Sequence, residues 1–271
     1  MDTLSYFATQ SAFTDPGDQS GLYADLPKTA PELCKVIQGV FLDYRERYKY
    51  PIVNERLLDI DALYAAALLK AIVALDKSPL TTERAPENRF TATCSDFANL
   101  FCSMARHQGI PARKRVGFVD GKSWDIAEYW DGSAWKQIDP SGLTEGAFVP
   151  AAEAWQACRS GKMDPEQFTG DSEAKPHGMD VLRINLMLDL AAMNKIELLV
   201  WDRYAWMLRP LDDFSDRAWA ILDKAAELLL AGDGALEELQ ALYEREEGLQ
   251  VPRVILRDSP VAPPHKMELT F

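Results

Sequence analysis

Histidine, net positive charge and long apolar runs are all scarce in this chain of 271 residues. The formal net charge is -13, from 29 Lys and Arg against 42 Asp and Glu. A field of that sign opposes nucleic-acid backbones and anionic membranes, because both need concentrated positive charge. The short run Arg113-Lys114-Arg115 is too small to offset it. No stretch approaches the roughly 18 consecutive apolar residues of a membrane span, and Met1 to Gln10 has neither the basic start nor the apolar run of an export signal. No nucleic-acid or membrane partner is expected, and the expected location is the cytoplasm. The four cysteines, Cys34, Cys94, Cys102 and Cys158, lack CxxC spacing, so neither a disulfide framework nor a zinc ribbon is indicated. The three histidines, His107, His177 and His265, are isolated in sequence and form no HExxH pattern, so no metal is expected. GxGxxG after a strand and GxxxxGK[ST] are also missing, and no cofactor is expected.

What is there reads as helices, then a meander, then helices. Apolar spacing at Leu33, Val36, Ile37, Val40 and Phe41 predicts a helix over 31–48, with Pro31 near its first turn. A second is predicted over 57–75, followed by a polar loop over 80–89. The best-defined helix spans 93–107: Thr93 and Asp96 form a capping box, and Gly109 before Ile110-Pro111 supplies the stop. Three strands follow over 113–120, 123–130 and 134–139, separated by the hairpin signals Asp120-Gly121 and Asp131-Gly132. Helical patterns return over 151–160, 179–193, 212–230 and 236–247. The residues after Gly248 carry four prolines and are expected to be irregular. This order predicts an α+β fold, with one domain over 1–248 and a tail over 249–271.

Cys94 falls at the first position of its helix, where unpaired N–H groups and the positive end of the macrodipole favour a thiolate. A small buried apolar residue would fit the same position equally well. On the meander, alternation puts Trp124, Ile126 and Glu128 on one face of a strand, and Trp135, Gln137 and Asp139 on one face of the next.

The run Cys94-Ser95-Asp96-Phe97-Ala98, then Gly109-Ile110-Pro111-Ala112-Arg113 and Val116-Gly117-Phe118, resembles the cysteine-helix segment of transglutaminase-like proteins. A second block, Glu128-Tyr129-Trp130-Asp131-Gly132 with Trp135 and Ile138-Asp139-Pro140, is similar to the family's histidine and aspartate strands. Similarity to a bacterial branch extends to Leu33–Gly39, Ala154–Arg159 and Asn194–Leu199. The resemblance implies a cysteine-protease type of α+β fold and a Cys-His-Asp triad for acyl transfer. It sets Cys94 as nucleophile and Asp139 as the orienting carboxylate, and it puts Trp124 where the family has its histidine. Indole nitrogen only donates and cannot shuttle a proton near neutral pH. His107 lies roughly 20 Å along the same helix from Cys94 at the standard helical rise. His177 and His265 read as surface-loop and tail residues.

Three functions follow as expectations. In the first, a carboxylate base, Asp139 or else Asp125 or Glu128, acts on an amine-bearing substrate, free or carrier-protein-bound, held by Trp124, Asp125 and Trp135. The resemblance suggests cyclisation or amide formation in natural-product biosynthesis for such an enzyme. In the second, Cys94 remains a nucleophile, activated by the helix dipole, by Arg113 or Lys122, or by His177. In the third, the chain is an inactive binding subunit for a partner protein.

Overall fold

The structure, a computed structural model, describes residues 2–51, 54–170 and 176–271. The chain opens with α1 (Thr3–Ala8), which buries Phe7, and continues to α2 (Ala30–Val40). The helix predicted to run on to Tyr48 stops at Val40, because Phe41 and Leu42 gain more from a neighbouring strand. They form β1 (Phe41–Asp43), and the segment 44–49 turns into a 3-10 helix in which the Arg45 backbone N–H donates to the Asp43 carboxylate. The predicted helix over 57–75 is also shorter. Only α3 (Ala65–Leu75) is α-helical, preceded by a 3-10 segment over Asn54–Asp61. Its start is set from outside, since Ala65 N donates to Phe13 O at 2.8 Å.

β2 (Phe90–Ala92) pairs in parallel with β1, Phe41 opposite Phe90, and leads directly into α4 (Cys94–His107). The capping box at this junction is formed: Thr93 N and Thr93 Oγ1 donate to Asp96 at 2.7 and 2.8 Å. Helix α4 is packed on several sides. Phe97, Leu100, Phe101, Met104 and Ala105 join Leu33, Ile37 and Val40 of α2 in one core, and Gly109 ends the helix at φ +76.

β3 (Ala112–Val119), β4 (Lys122–Trp130) and β5 (Trp135–Ile138) make the antiparallel meander, with Asp120 and Gly121 at positive φ in the first hairpin. The sheet has a fourth strand that the sequence pattern did not reveal, β6 (Phe148–Pro150), on the far side of β3. Gly117 permits that approach, since a Cβ there would lie 2.2 Å from Val149 O.

The second core lies under α5 (Ala151–Arg159) and α6 (Gly178–Met193), where Trp155, Leu186, Met187 and Leu190 meet Val116 and Phe118 of β3. After β7 (Asp202–Arg203) come α7 (Asp216–Ala231) and α8 (Leu236–Arg245). The residues after Gly248, expected to be irregular, instead carry β8 (Val254–Arg257) and β9 (His265–Glu268), which extend β7 into a three-stranded sheet. Arg257 fixes the hairpin through a buried pair with Asp202 at 2.8 Å. The prolines stand outside the paired strands, where no ladder hydrogen bond is needed. Helices packed on an antiparallel sheet give the α+β class that the sequence predicts.

Candidate functional site

Strand β2 delivers Cys94 to the start of α4, and strand β4 delivers Trp124 to meet it. Cys94, Val119, Trp124 and Ile126 form a small apolar cluster, with Phe148 of β6 packed against it. Both central residues are nearly closed off from solvent, Cys94 at 6% and Trp124 at 5% exposure. The Trp124 Nε1 atom is buried without a hydrogen-bond partner among the described residues.

Arg45 lies over the Trp124 ring, its guanidinium carbon 4.1 Å from the ring centroid. Asp43 holds it there: Arg45 Nε and Nη2 donate to the two carboxylate oxygens, each at 2.9 Å, and Arg45 N donates to Oδ1 at 2.8 Å. The Asp43 side chain is buried, whereas that of Arg45 is 44% exposed. Neither residue stands out in the sequence, where both fall inside an apparent helix. The only hint is the pair itself, an Asp two residues before an Arg, which suits an Asx turn better than a helix interior.

The carboxylates expected to do chemistry are each engaged elsewhere. Asp139 follows the end of β5 and closes the next turn, accepting from Ser141 N at 2.9 Å, Ser141 Oγ at 2.7 Å and Thr144 N at 3.1 Å. The nearby thiol of Cys34 is pushed up to about 12, first by burial and then by the Asp139 charge. Asp125 is buried and points away from Trp124 by strand alternation. It accepts from Ser95 Oγ at 2.5 Å and pairs with Lys114 Nζ at 2.8 Å.

Glu128 is buried between Arg113 and Arg115, at 2.8 and 3.2 Å. Burial acts to raise its carboxyl, but the Arg115 and Arg113 guanidiniums outweigh that and hold it below the usual carboxylate range. Trp135 belongs to the same group. Its Nε1 donates to Asp233 at 2.7 Å, and Arg113 covers its ring at 4.0 Å. The structure therefore brings Cys94 and Trp124 together, gathers Glu128 and Trp135 around Arg113, and leaves Asp125 and Asp139 in separate local networks. In the same first turn as Cys94 lies Asp96, whose complete burial pushes its carboxyl up to about 7 against the lowering effect of the Thr93 hydrogen bonds.

The histidines lie on the surface. His107 packs edge-on against Tyr23 at 5.1 Å, His177 Nδ1 is 3.0 Å from Glu166 Oε2, and His265 Nδ1 is 3.1 Å from Pro263 O. Among the described residues no group of three or more His, Cys, Asp or Glu is placed to hold a metal ion, and no helix is long and apolar enough to cross a membrane.

Beside Asp43 opens a groove of about 200 Å³, lined by Phe41, Glu46, Phe97, Arg89 and Ser141 among others. A larger groove of about 650 Å³ lies on α5 and α7, around Glu153, Arg159 and Asp223, and none of the expected site residues lines it.

No curated protein and no solved structure matches the chain. Residues 63–140 match the family model of the transglutaminase-like superfamily. That span runs from just before α3 to just after Asp139 and includes Cys94 and Trp124. With the cysteine-bearing helix packed on its antiparallel meander inside the matched span, this part of the chain, residues 63–140, is similar to the transglutaminase-like superfamily.

Proposed function

We propose that this chain works by binding, without the Cys-His-Asp acyl transfer of that superfamily. The observation that carries the reading is the closed contact of Cys94 with Trp124, whose ring is in turn covered by Arg45. A nucleophilic thiol needs a base within reach and a path for the acyl group. The indole that stands at the family's histidine position offers no acceptor for the proton, the Asp96 carboxylate is engaged by Thr93, and a thiol at 6% exposure in an apolar cluster offers little path. Losing general acid–base help alone typically forfeits roughly 10²–10⁴-fold in rate.

The alternative, a carboxylate base acting on an amine substrate on the way to a cyclised or amidated natural product, finds less support. A general base is most effective when its pKa lies near the working pH and its oxygens can reach the substrate. Glu128 is held low by two guanidiniums, Asp125 is tied to Lys114 and Ser95, and Asp139 accepts from Ser141 and Thr144 of its own turn. The binding reading includes both a small ligand and a partner protein.

The test compares the full chain with Cys94→Ser, using ammonia release from a glutamine peptide and hydrolysis of an activated ester. Equal rates for the two proteins support the binding reading. Turnover that disappears in Cys94→Ser contradicts it.

A further inference from the structure

We propose that Asp43 and the Trp124 ring form a binding site for an external guanidinium or ammonium group, and that Arg45 fills this site in the resting chain. The inference rests on the binding reading above and names the ligand class.

Three observations combine. First, Asp43 is a buried carboxylate, which needs a cation or several hydrogen bonds to tolerate its place. Second, the Trp124 ring presents a π-face to the same cation, so the acceptor has two parts, a carboxylate and an aromatic surface. Third, the group now satisfying both belongs to a half-exposed side chain on the 3-10 segment over 44–49, which has no buried residue. The Arg45 side chain belongs to neither core, so turning it outward takes no residue out of either one.

When it does, the carboxylate and the ring both lose the cation they share, and any replacement must supply the same chemistry. Guanidinium fits better than ammonium, because its planar fork bonds both carboxylate oxygens while its face lies on the ring. The groove of about 200 Å³ that shares Asp43 gives the approach, with Phe41 and Phe97 for an apolar stem and Glu46 as a second carboxylate. Arg89 also lines this groove, but its charge is directed to Glu83 at 2.8 Å and its Nε to Arg84 O.

The probes are agmatine, as a free guanidinium, and the peptide acetyl-Gly-Arg-Gly-amide, as a protein side chain. Each is titrated into the full chain while the indole N–H resonance of Trp124, assigned with Trp124→Phe, is followed by NMR. Arg45→Ala removes the internal competitor. If Arg45 occupies the site nine-tenths of the time or more, this variant binds at least about tenfold tighter than the unaltered chain. Arg45→Gln, which keeps a donor for Asp43, is titrated in parallel and is expected to fall between the two. Adding Asp43→Asn to Arg45→Ala abolishes saturable binding. Tighter binding of the peptide assigns the site to a partner's arginine, and tighter binding of agmatine assigns it to a small molecule.

The proposal is overturned if neither probe gives a saturable shift in Arg45→Ala and Arg45→Gln proteins that unfold cooperatively, or if the shift survives Asp43→Asn. Cys94-dependent turnover in the assays above would contradict the binding reading while leaving the agmatine titration unaffected, so the two failures are distinguishable.

Discussion

Arg45 rests on Trp124, 4.1 Å from guanidinium carbon to ring centroid, and so covers with the chain's own cation the aromatic residue that packs with Cys94. The sequence suggests that Trp124 offers a wall for an incoming cation. The structure adds that an internal cation is already on that wall.

Removing Arg45 should have two effects. Arg45→Ala leaves the Asp43 carboxylate buried without its charge partner, which costs about 1–3 kcal/mol in stability by urea unfolding. The same change uncovers Trp124 and speeds iodoacetamide modification of Cys94. An unchanged modification rate would mean that Arg45 does not guard the thiol.

Glu128 should behave as a structural residue. Glu128→Gln removes the charge between Arg113 and Arg115, and breaking a buried pair in this way costs about 3–5 kcal/mol. Arg115 also pairs with Asp189, which limits the loss to the lower part of that range. A variant of unaltered stability that had lost a measurable activity would instead restore Glu128 to a chemical role.

Asp96 makes the stability of the chain depend on pH in a definite direction. Its folded-state carboxyl is raised from 3.8 to about 7, so between those values the folded chain holds a proton that the unfolded chain does not. The stability this group contributes is therefore full at low pH and is lost as pH rises through about 7, at up to about 1.4 kcal/mol per pH unit. Asp96→Asn, neutral throughout and still able to accept from Thr93, should remove this contribution. Urea unfolding of both proteins at several pH values between 4 and 8 isolates it as a difference. Parallel pH profiles would contradict the assignment.

Gly117 should tolerate no side chain. A Cβ there meets Val149 O at 2.2 Å and the Phe148 ring at 2.7 Å, and both belong to the strand paired with β3. Gly117→Ala should lower stability by about 1–3 kcal/mol, measured by denaturant unfolding, as β6 is pushed away.

Much of this arrangement is legible in the sequence where local signals dominate. The capping box at Thr93 and Asp96, the glycine stop at Gly109 and the Asp120-Gly121 hairpin fix α4 and the meander within a residue or two of where they lie. The failures lie where a distant partner decides. Phe41 and Leu42 continue a helical apolar pattern, but pairing with Phe90 and Thr91 turns them into strand. The proline-bearing C-terminal segment looks irregular until Arg257 finds Asp202. The site divides in the same way. The Cys94–Trp124 meeting follows from the family resemblance, whereas the Arg45 cover depends on a strand pairing that no local pattern announces.

The most direct test is the pH dependence of Cys94 alkylation by iodoacetamide in the full chain, read by mass spectrometry and referred to the same cysteine in urea. Cys94 in the folded protein should react far more slowly than in urea across pH 6 to 9, with no reactive plateau at neutral pH. A folded-state rate above the unfolded one, titrating below about 7, would reveal an activated thiolate and would rule out a closed, inert Cys94.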